Sequence, residues 1–359
     1  ICAASTSSVS PVAATMTRRL PPPPAHVHYA VGMDVPANPV CCAISDGAAG
    51  NERQALALAA ALGLESRVLR LRLRQPWDAL APRLAVAVAV AVRDQQGNPP
   101  APPWPDIAIG CGRRAALLTR ALRRWNPGRT FTVQILDPRI ATTAFDVVIA
   151  PQHDAIDGAN LIRSIGALNP VDPRWLAVAR TRFAMLAALP APRTALLVGG
   201  SNRAQQLDRA YFDALLERLA AHHAWQGGSF MVSMSRRTPV ALVARLRSVF
   251  AEFPGVFWSG ATDGDNPYAG YLAWADRIVV TPDSVNMLSE AAATGKPLYT
   301  FAARPVTGKL AAFHAELVAS GHLRRLDGGA HPPQPAPLAE TAAIAEIVHA
   351  RWRQAAAAR

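Results

Sequence analysis

Short apolar runs, each leading into a polar or glycine-rich loop and then a helical stretch, recur along this chain and constrain its fold class. The clearest case is Ile278-Val279-Val280, followed by Thr281-Pro282-Asp283-Ser284 and a helical pattern through Glu290. After Gly295-Lys296-Pro297 comes a second apolar run, Leu298-Tyr299-Thr300-Phe301. This reads as strand, tight loop, helix, strand. The loop sets hydroxyl, carboxylate and backbone N–H groups at a helix start, where the dipole favours an anion. Upstream, Ala195-Leu196-Leu197-Val198 enters a similar loop, Gly199-Gly200-Ser201-Asn202. Two such loops in one half of a chain point to a phosphate-bearing ligand.

The same alternation runs from Val40 onward. Val40 to Ile44 reads as a strand, Ser45 to Asn51 as a loop, and a helix follows with Ala55, Leu58, Ala59 and Leu62 on one face and Gly63 as its stop. From Arg67 to Arg74, Leu69, Leu71 and Leu73 alternate with arginines, the pattern of a half-buried strand with a basic face. Beyond the Pro-rich stretch 98–105, strands are expected at Ile107–Ile109, Phe131–Leu136 and Val147–Ala150. A helical stretch near Pro173–Leu189 and the sequence Pro190-Ala191-Pro192 mark a boundary. Strands at 195–198, 230–233, 256–258, 278–281 and 298–301 repeat the plan, and Asn266-Pro267 is expected to open a helix as cap and first residue. After Asp327 a Pro-rich linker leads to a helix from about Leu338 to Ala358, whose Ile344, Ile347, Val348 and Trp352 need a surface to cover.

The expected fold is therefore α/β, with two doubly wound parallel-sheet domains and a C-terminal helix crossing their boundary. The division read from the sequence is a Pro/Ser-rich disordered tail at 1–39, an N-terminal domain at 40–190, a C-terminal domain at 191–335 and the helix at 336–359. A chain of 359 residues is long for a single core, which supports the same division. Ligands of such sheets bind outside the C-terminal ends of the strands, in the cleft between the domains.

Charge and cysteine usage narrow the partners. The net charge is +12, and Lys296 and Lys309 are the only lysines, so arginine carries nearly all of it. This balance fits phosphates, acidic glycans, nucleic acid or an anionic membrane surface, and an arginine-preferring codon usage would produce it as well. No nucleic-acid partner is expected. Cys2, Cys41, Cys42 and Cys111 have neither metal spacing nor a disulfide framework, which suits a reducing compartment. The apolar run Leu84–Val92 is too short to span a bilayer, and no secretory signal is read. The expected location is the cytoplasm, with peripheral attachment at the inner membrane face.

Several segments in order resemble one family: Ser45-Asp46-Gly47 with Gly50-Asn51 and Gln54, Gly166-Ala167-Leu168-Asn169, Gly199-Gly200-Ser201-Asn202, Ser235-Arg236-Arg237-Thr238-Pro239, and Asn266-Pro267-Tyr268. Trp274-Ala275-Asp276 running on to Asp283-Ser284 and Ser289-Glu290 completes the series. This is the mitochondrial-fission-protein-like family, which holds the plant elongated-mitochondria protein and bacterial relatives. The resemblance covers roughly Val40 to Arg325. It implies a domain plan similar to GT-B glycosyltransferases, with a nucleoside-diphosphate sugar on the C-terminal side and a glycan or lipid-linked acceptor on the N-terminal side.

Under that resemblance Gly199 and Gly200 would let a backbone approach phosphate, with Ser201 and Asn202 beside them. Asp283 and Ser284 would sit at the distal phosphate, and Arg236 and Arg237 would neutralise the diphosphate. Glu290 is placed like the ribose-binding carboxylate of GT-B enzymes. Asp46 is the first candidate for the general base, with His153 and Asp154 the alternative pair. Each has a plainer reading: Gly-Gly turns are common, Ser and Asp cap helices, and Asp46 and His153 suit ordinary loops. Asp263-Gly264-Asp265 reads as a loop rather than a metal motif, and no metal or cofactor is expected. A complete G-x-G-x-x-G is missing from the first loop and from Gly110-x-Gly112. The leading expectation is an inverting, metal-independent GT-B type glycosyltransferase. The alternatives are a non-catalytic adaptor at a membrane surface and a nucleoside-diphosphate-sugar epimerase.

Overall fold

The structure is a computed structural model that describes residues 38–202, 205–235, 237–326 and 333–358. Residues 1–37, most of the expected tail, lie outside the described residues, as do Arg236 and the start of the expected linker at 327–332. Among the described residues, fourteen strands form two six-stranded parallel sheets and one short antiparallel pair. The first half contributes β1 (Cys41–Ser45), β2 (Ser66–Arg70), β3 (Arg72–Leu73), β4 (Val92–Arg93), β5 (Ile107–Cys111), β6 (Phe131–Ile135), β7 (Val147–Pro151) and β8 (Leu161–Ser164). The second contributes β9 (Arg193–Val198), β10 (Ser229–Met234), β11 (Gly255–Trp258), β12 (Arg277–Val280), β13 (Leu298–Thr300) and β14 (Arg324–Arg325).

Strand order places the sites. The N-terminal sheet runs β2-β1-β5-β6-β7-β8, so the winding reverses between β1 and β5. The C-terminal sheet runs β11-β10-β9-β12-β13-β14, the order of a dinucleotide-binding sheet, and reverses between β9 and β12. Each reversal opens a crevice above the strand ends, where neighbouring connections leave to opposite faces. The inner strands of both sheets are covered on both faces, which is why they read as near-continuous apolar runs. In β9, Ala195 and Leu197 pack with Tyr271, Leu288, Phe313 and Leu317, while Leu196 and Val198 meet Phe212, Leu215 and Leu246 on the other side.

The helix Glu340–Ala357 returns to the N-terminal sheet. Its Ile344, Val348 and Trp352 are buried with Leu58 of helix Ala49–Ala61 and with Phe131, against which Trp352 stacks. Ile347, expected on the same face, is 43% exposed, because the covered stripe follows 344, 345, 348 and 352. Glu340 anchors the helix start by accepting the N–H groups of Ile165 and Gly166, each at 2.8 Å. Among the described residues, no helix is long and apolar enough to cross a membrane.

Local departures from the sequence reading have local causes. The run 67–74 breaks into β2 and β3, because Leu71 is buried and its N–H turns to Ser45 O at 2.8 Å, taking the chain off the sheet edge. The stretch 173–189 divides into a helix, Pro173–Arg182, and a 3-10 turn, Ala184–Ala188. Pro267 is the residue before the helix Tyr268–Trp274 rather than its first, and Asn266 Oδ1 accepts Tyr268 N–H at 3.0 Å. Strand β8 was not anticipated, since Leu161-Ile162-Arg163-Ser164 lacks a continuous apolar run. Gly63 does end its helix, at φ +72°.

Candidate functional site

At the C-terminal reversal the strand ends of β9 and β12 lie side by side, and their loops bind each other. Thr281 Oγ1 accepts Gly199 N–H at 2.8 Å and donates to Asp283 at 2.6 Å. The Asp283 carboxylate accepts Gly200 N–H at 3.0 Å and an Arg237 guanidinium N–H at 3.3 Å. Asn202 donates to the Asp283 carbonyl at 3.1 Å, and Thr238 donates to the Gly199 carbonyl at 2.8 Å. The glycines are required by this packing. A Cβ on Gly199 would lie 2.2 Å from the Asp283 carboxylate, and one on Gly200 would lie 2.5 Å from Arg237 Cβ. The backbone approach expected for a phosphate is thus made by a side chain of the protein. Ser201 is likewise engaged, its Oγ accepting Leu207 N–H at 2.9 Å. The Asp283 side chain is fully buried, and burial raises its carboxyl pKa against the opposing pull of Thr281, Gly200 N–H and Arg237.

Ser284 follows and caps the helix Val285–Ala292, accepting Met287 N–H at 3.4 Å. His314 steadies the loop from below. Its Nε2 lies 2.9 Å from the Pro282 carbonyl, which can only accept, so Nε2 carries the proton. Burial lowers the His314 pKa and keeps the ring neutral.

The same helix carries Glu290, which turns toward the N-terminal half. Its carboxylate accepts from Arg53 of helix Ala49–Ala61 at 2.9 Å and from the Tyr268 hydroxyl. Glu290 is buried, whereas Arg53 is half exposed. Burial raises the Glu290 pKa, with Arg53 and Tyr268 acting the other way. Beside this pair Gln54 reaches Asn286 Oδ1 at 3.4 Å, and Ser289 Oγ accepts Ala167 N–H at 2.9 Å. Gly50 is needed here, because a Cβ would sit 2.1 Å from Asn286 Nδ2. Two helix starts, at 49 and 285, therefore meet across the halves.

The N-terminal reversal, between β1 and β5, is looser. Asp46 Oδ1 accepts Ala48 N–H and Asn51 Nδ2, both at 3.2 Å, and its other oxygen lies 3.8 Å from Arg114. The side chain is only partly covered. Arg114 also pairs with Asp78 at 2.5 Å.

His153 and Asp154 lie past β7, against the helix Gly308–Ala319 of the other half. Lys309 Nζ donates to Asp154 at 2.5 Å and stands 4.0 Å from Asp137. His153 Nδ1 is 3.6 Å from Glu316, and its ring is tilted over Phe313 with centroids 5.9 Å apart. Both candidates are thus tied into contacts between the halves, apart from Asp46. Asp263 accepts Ser259 N–H at 2.7 Å and Arg247 at 2.6 Å, in an ordinary turn.

Sequence reasoning passed over Arg53, Tyr268, Asn286 and Lys309. Tyr268 and Asn286 lie within the segments that carry the resemblance, but no role was read for them there. The rarity of lysine was the available signal for Lys309, since the other lysine, Lys296, caps the carbonyls of Leu272 and Ala273 at 2.7 and 2.6 Å. Nothing marks Arg53 among so many arginines.

The family model described as mitochondrial fission ELM1 matches residues 49–352. The chain is similar to the mitochondrial fission protein ELM1 of Arabidopsis thaliana, with 32% identity over 257 residues that cover 62% of this chain and 58% of the plant protein. It is also similar to the uncharacterized protein RP120 of Rickettsia prowazekii (strain Madrid E), with 28% identity over 236 residues covering 55% and 64%. The chain thus spans about three-fifths of the length of these two relatives. Among solved structures it is similar to UDP-GlcNAc 2-epimerase from Methanocaldococcus jannaschii, with TM-score 0.51, 11% identity, and coverage of 87% of this chain and 99% of that one. At that identity the likeness shows the fold, two parallel-sheet α/β halves of GT-B type.

Proposed function

The chain belongs to the mitochondrial fission ELM1 family, and from that premise we propose that it binds a nucleoside-diphosphate sugar between its halves and transfers the sugar to an acceptor held by the N-terminal half. The observation that carries the reading is Glu290. A buried carboxylate on the helix of the C-terminal reversal, facing the other half, is the kind of acceptor that ribose hydroxyls would use. For a ribose to reach the carboxylate, half-exposed Arg53 would swing aside, while the partly buried Tyr268 would keep its hydroxyl on it. The diphosphate would lie on the Ser284-capped helix start and against Arg237, which is more than half exposed. Gly199 and Gly200 would shape that loop from within. Asp46 is the better base, being partly open at the N-terminal reversal, whereas Asp154 is committed to Lys309.

A second reading has its own observation. The Gly199 and Gly200 N–H groups are donated inward, which leaves fewer donors for a diphosphate than a transferase of this plan would use. A fold kept for recruiting partners, with no chemistry, would show the same thing.

A thermal-shift screen with UDP-, GDP-, ADP- and CMP-linked sugars separates the two. A shift supports the first reading, and product analysis then distinguishes transfer from epimerisation. Glu290→Ala should weaken binding by roughly 1–3 kcal/mol, the scale of a hydrogen bond to a charged group. Asp46→Asn should leave binding intact and abolish transfer. No binding to the wild-type protein at millimolar sugar nucleotide would give the adaptor reading the case.

A further inference from the structure

The segment between β3 and β4 serves neither sheet. It holds two short helices, Trp77–Leu80 and Val88–Ala91, and the run Leu84-Ala85-Val86-Ala87-Val88-Ala89-Val90-Ala91-Val92. A third of that run is turned inward, with Val88, Ala91 and Val92 buried. Other positions face out: Val86 is 66% exposed and Val90 52%, and so does Leu80 before the run, at 51%. Ala79, Ala87 and Ala89 are exposed among them. Trp77 Nε1 donates to the Val86 carbonyl at 2.8 Å and ties the two arms together.

The surroundings are cationic. Arg67, Arg70, Arg72, Arg74, Arg83 and Arg93 lie within residues 66–105, where the acids are Asp78 and Asp94, and of these arginines Arg70 is paired with Glu52 at 2.6 Å. Asp78 is paired with Arg114, and Asp94 is bonded to the N–H groups of Gln96 and Asn98 in its own turn. A hollow of about 180 Å³ opens beside the exposed valines, lined by Ala85, Ala89, Arg120, Arg124 and Trp125. Two arginines one helical turn apart beside an aliphatic wall suit a phosphate headgroup with its chains to one side.

We propose that this face, Leu80, Val86 and Val90 with Arg120 and Arg124 beside them, docks the protein on an anionic lipid bilayer. Its exposed apolar side chains are all aliphatic, whereas protein interfaces concentrate aromatic residues and methionine at their centres. Arginines beside a small apolar tip are the arrangement that a negatively charged leaflet attracts. Arg113 holds the segment in place by donating to the carbonyls of Asp78 and Ala81, and Arg114 links it through Asp78 to Asp46. The N-terminal crevice therefore opens next to the docking face. The proposal goes beyond the sugar-nucleotide reading and does not depend on it.

Flotation of the full chain with vesicles, without nucleotide, tests it. Wild-type protein should float with phosphatidylcholine vesicles containing one-third phosphatidylglycerol and stay behind with phosphatidylcholine alone. Val86→Asp with Val90→Asp should lower partitioning at least about tenfold, through lost apolar insertion. Arg120→Gln with Arg124→Gln should lower it about fivefold per charge, with a weaker salt dependence. Circular dichroism confirms the fold, and Val86→Ser with Val90→Ser replaces the aspartates if they disturb it. Failure of the wild type to float with anionic vesicles overturns the proposal, as does flotation of both variants at the wild-type level. A dimer that the Val86 and Val90 changes dissolve, without vesicle binding, would assign the face to a second copy instead.

Discussion

The two reversal points are built from the same parts: a strand end, glycine, an aspartate and a helix start. At the C-terminal one, Asp283 is turned into the protein and closes a ring with Thr281, Gly200 and Arg237. At the N-terminal one, Asp46 shapes its own turn and keeps one side toward solvent and Arg114. The glycines differ in the same way. Gly199 is glycine because Asp283 fills the space, whereas Gly47 has open space around it and is glycine because its φ is +81°. Burial, more than residue type, decides whether an aspartate in such a loop holds the scaffold or meets a ligand.

The comparison breaks if the two aspartates cost the same to remove. Asp283→Ala strands buried donors and should destabilise by about 3–5 kcal/mol, while Asp46→Ala should cost about 1 kcal/mol, read from urea denaturation midpoints. Gly199→Ala drives a methyl group into a buried carboxylate and should cost about 1–3 kcal/mol. Gly47→Ala meets no neighbour and should cost about 1 kcal/mol of backbone strain, so Gly199 must be the more sensitive if its neighbour sets the requirement.

A smaller effect sharpens the account of Asp283. Its folded pKa is raised, so its contribution is fully present below the unfolded value and is lost as pH rises through the folded one. Asp283→Asn removes that step. Wild-type stability relative to Asp283→Asn should therefore fall as pH is raised from 3.5 to 7, followed as the difference in Tm. A difference that grows with pH would mean the surrounding donors outweigh the burial.

How far the sequence disclosed this follows from where its signals are local. Strands such as Ala195–Val198 and Ile278–Val280 were legible because a doubly covered parallel strand must be apolar at every position. The loops after them were legible as loops, and Ser284 as a cap, since both properties reside in a few adjacent residues. The direction in which Asp283 points was hidden, because it depends on Gly199, whose N–H is bonded 82 positions from its acceptor Thr281. Arg53 and Glu290, separated by 237 positions, could be joined only by the folded chain. Strand β8 escaped because an edge strand with an arginine in it carries little apolar signal. Ile347 was misplaced by a fraction of a helical turn, the margin within which periodicity loses resolution.

The return of the helix Glu340–Ala357 to the first sheet bears on the order in which the protein takes shape. The N–H of Ile165 finds its acceptor on Glu340, 175 positions later, and Phe131 waits longer still for Trp352. During synthesis the first sheet can pair its strands early and helix Ala49–Ala61 can cover part of one face, yet the rest of that face stays apolar and bare until the ribosome has delivered the whole second sheet. Closing so long a loop is entropically slow, and the uncovered face is a place for premature association in the meantime. The first half is thereby made a late-maturing unit despite being translated first, and it reaches its finished state only together with the half that follows it.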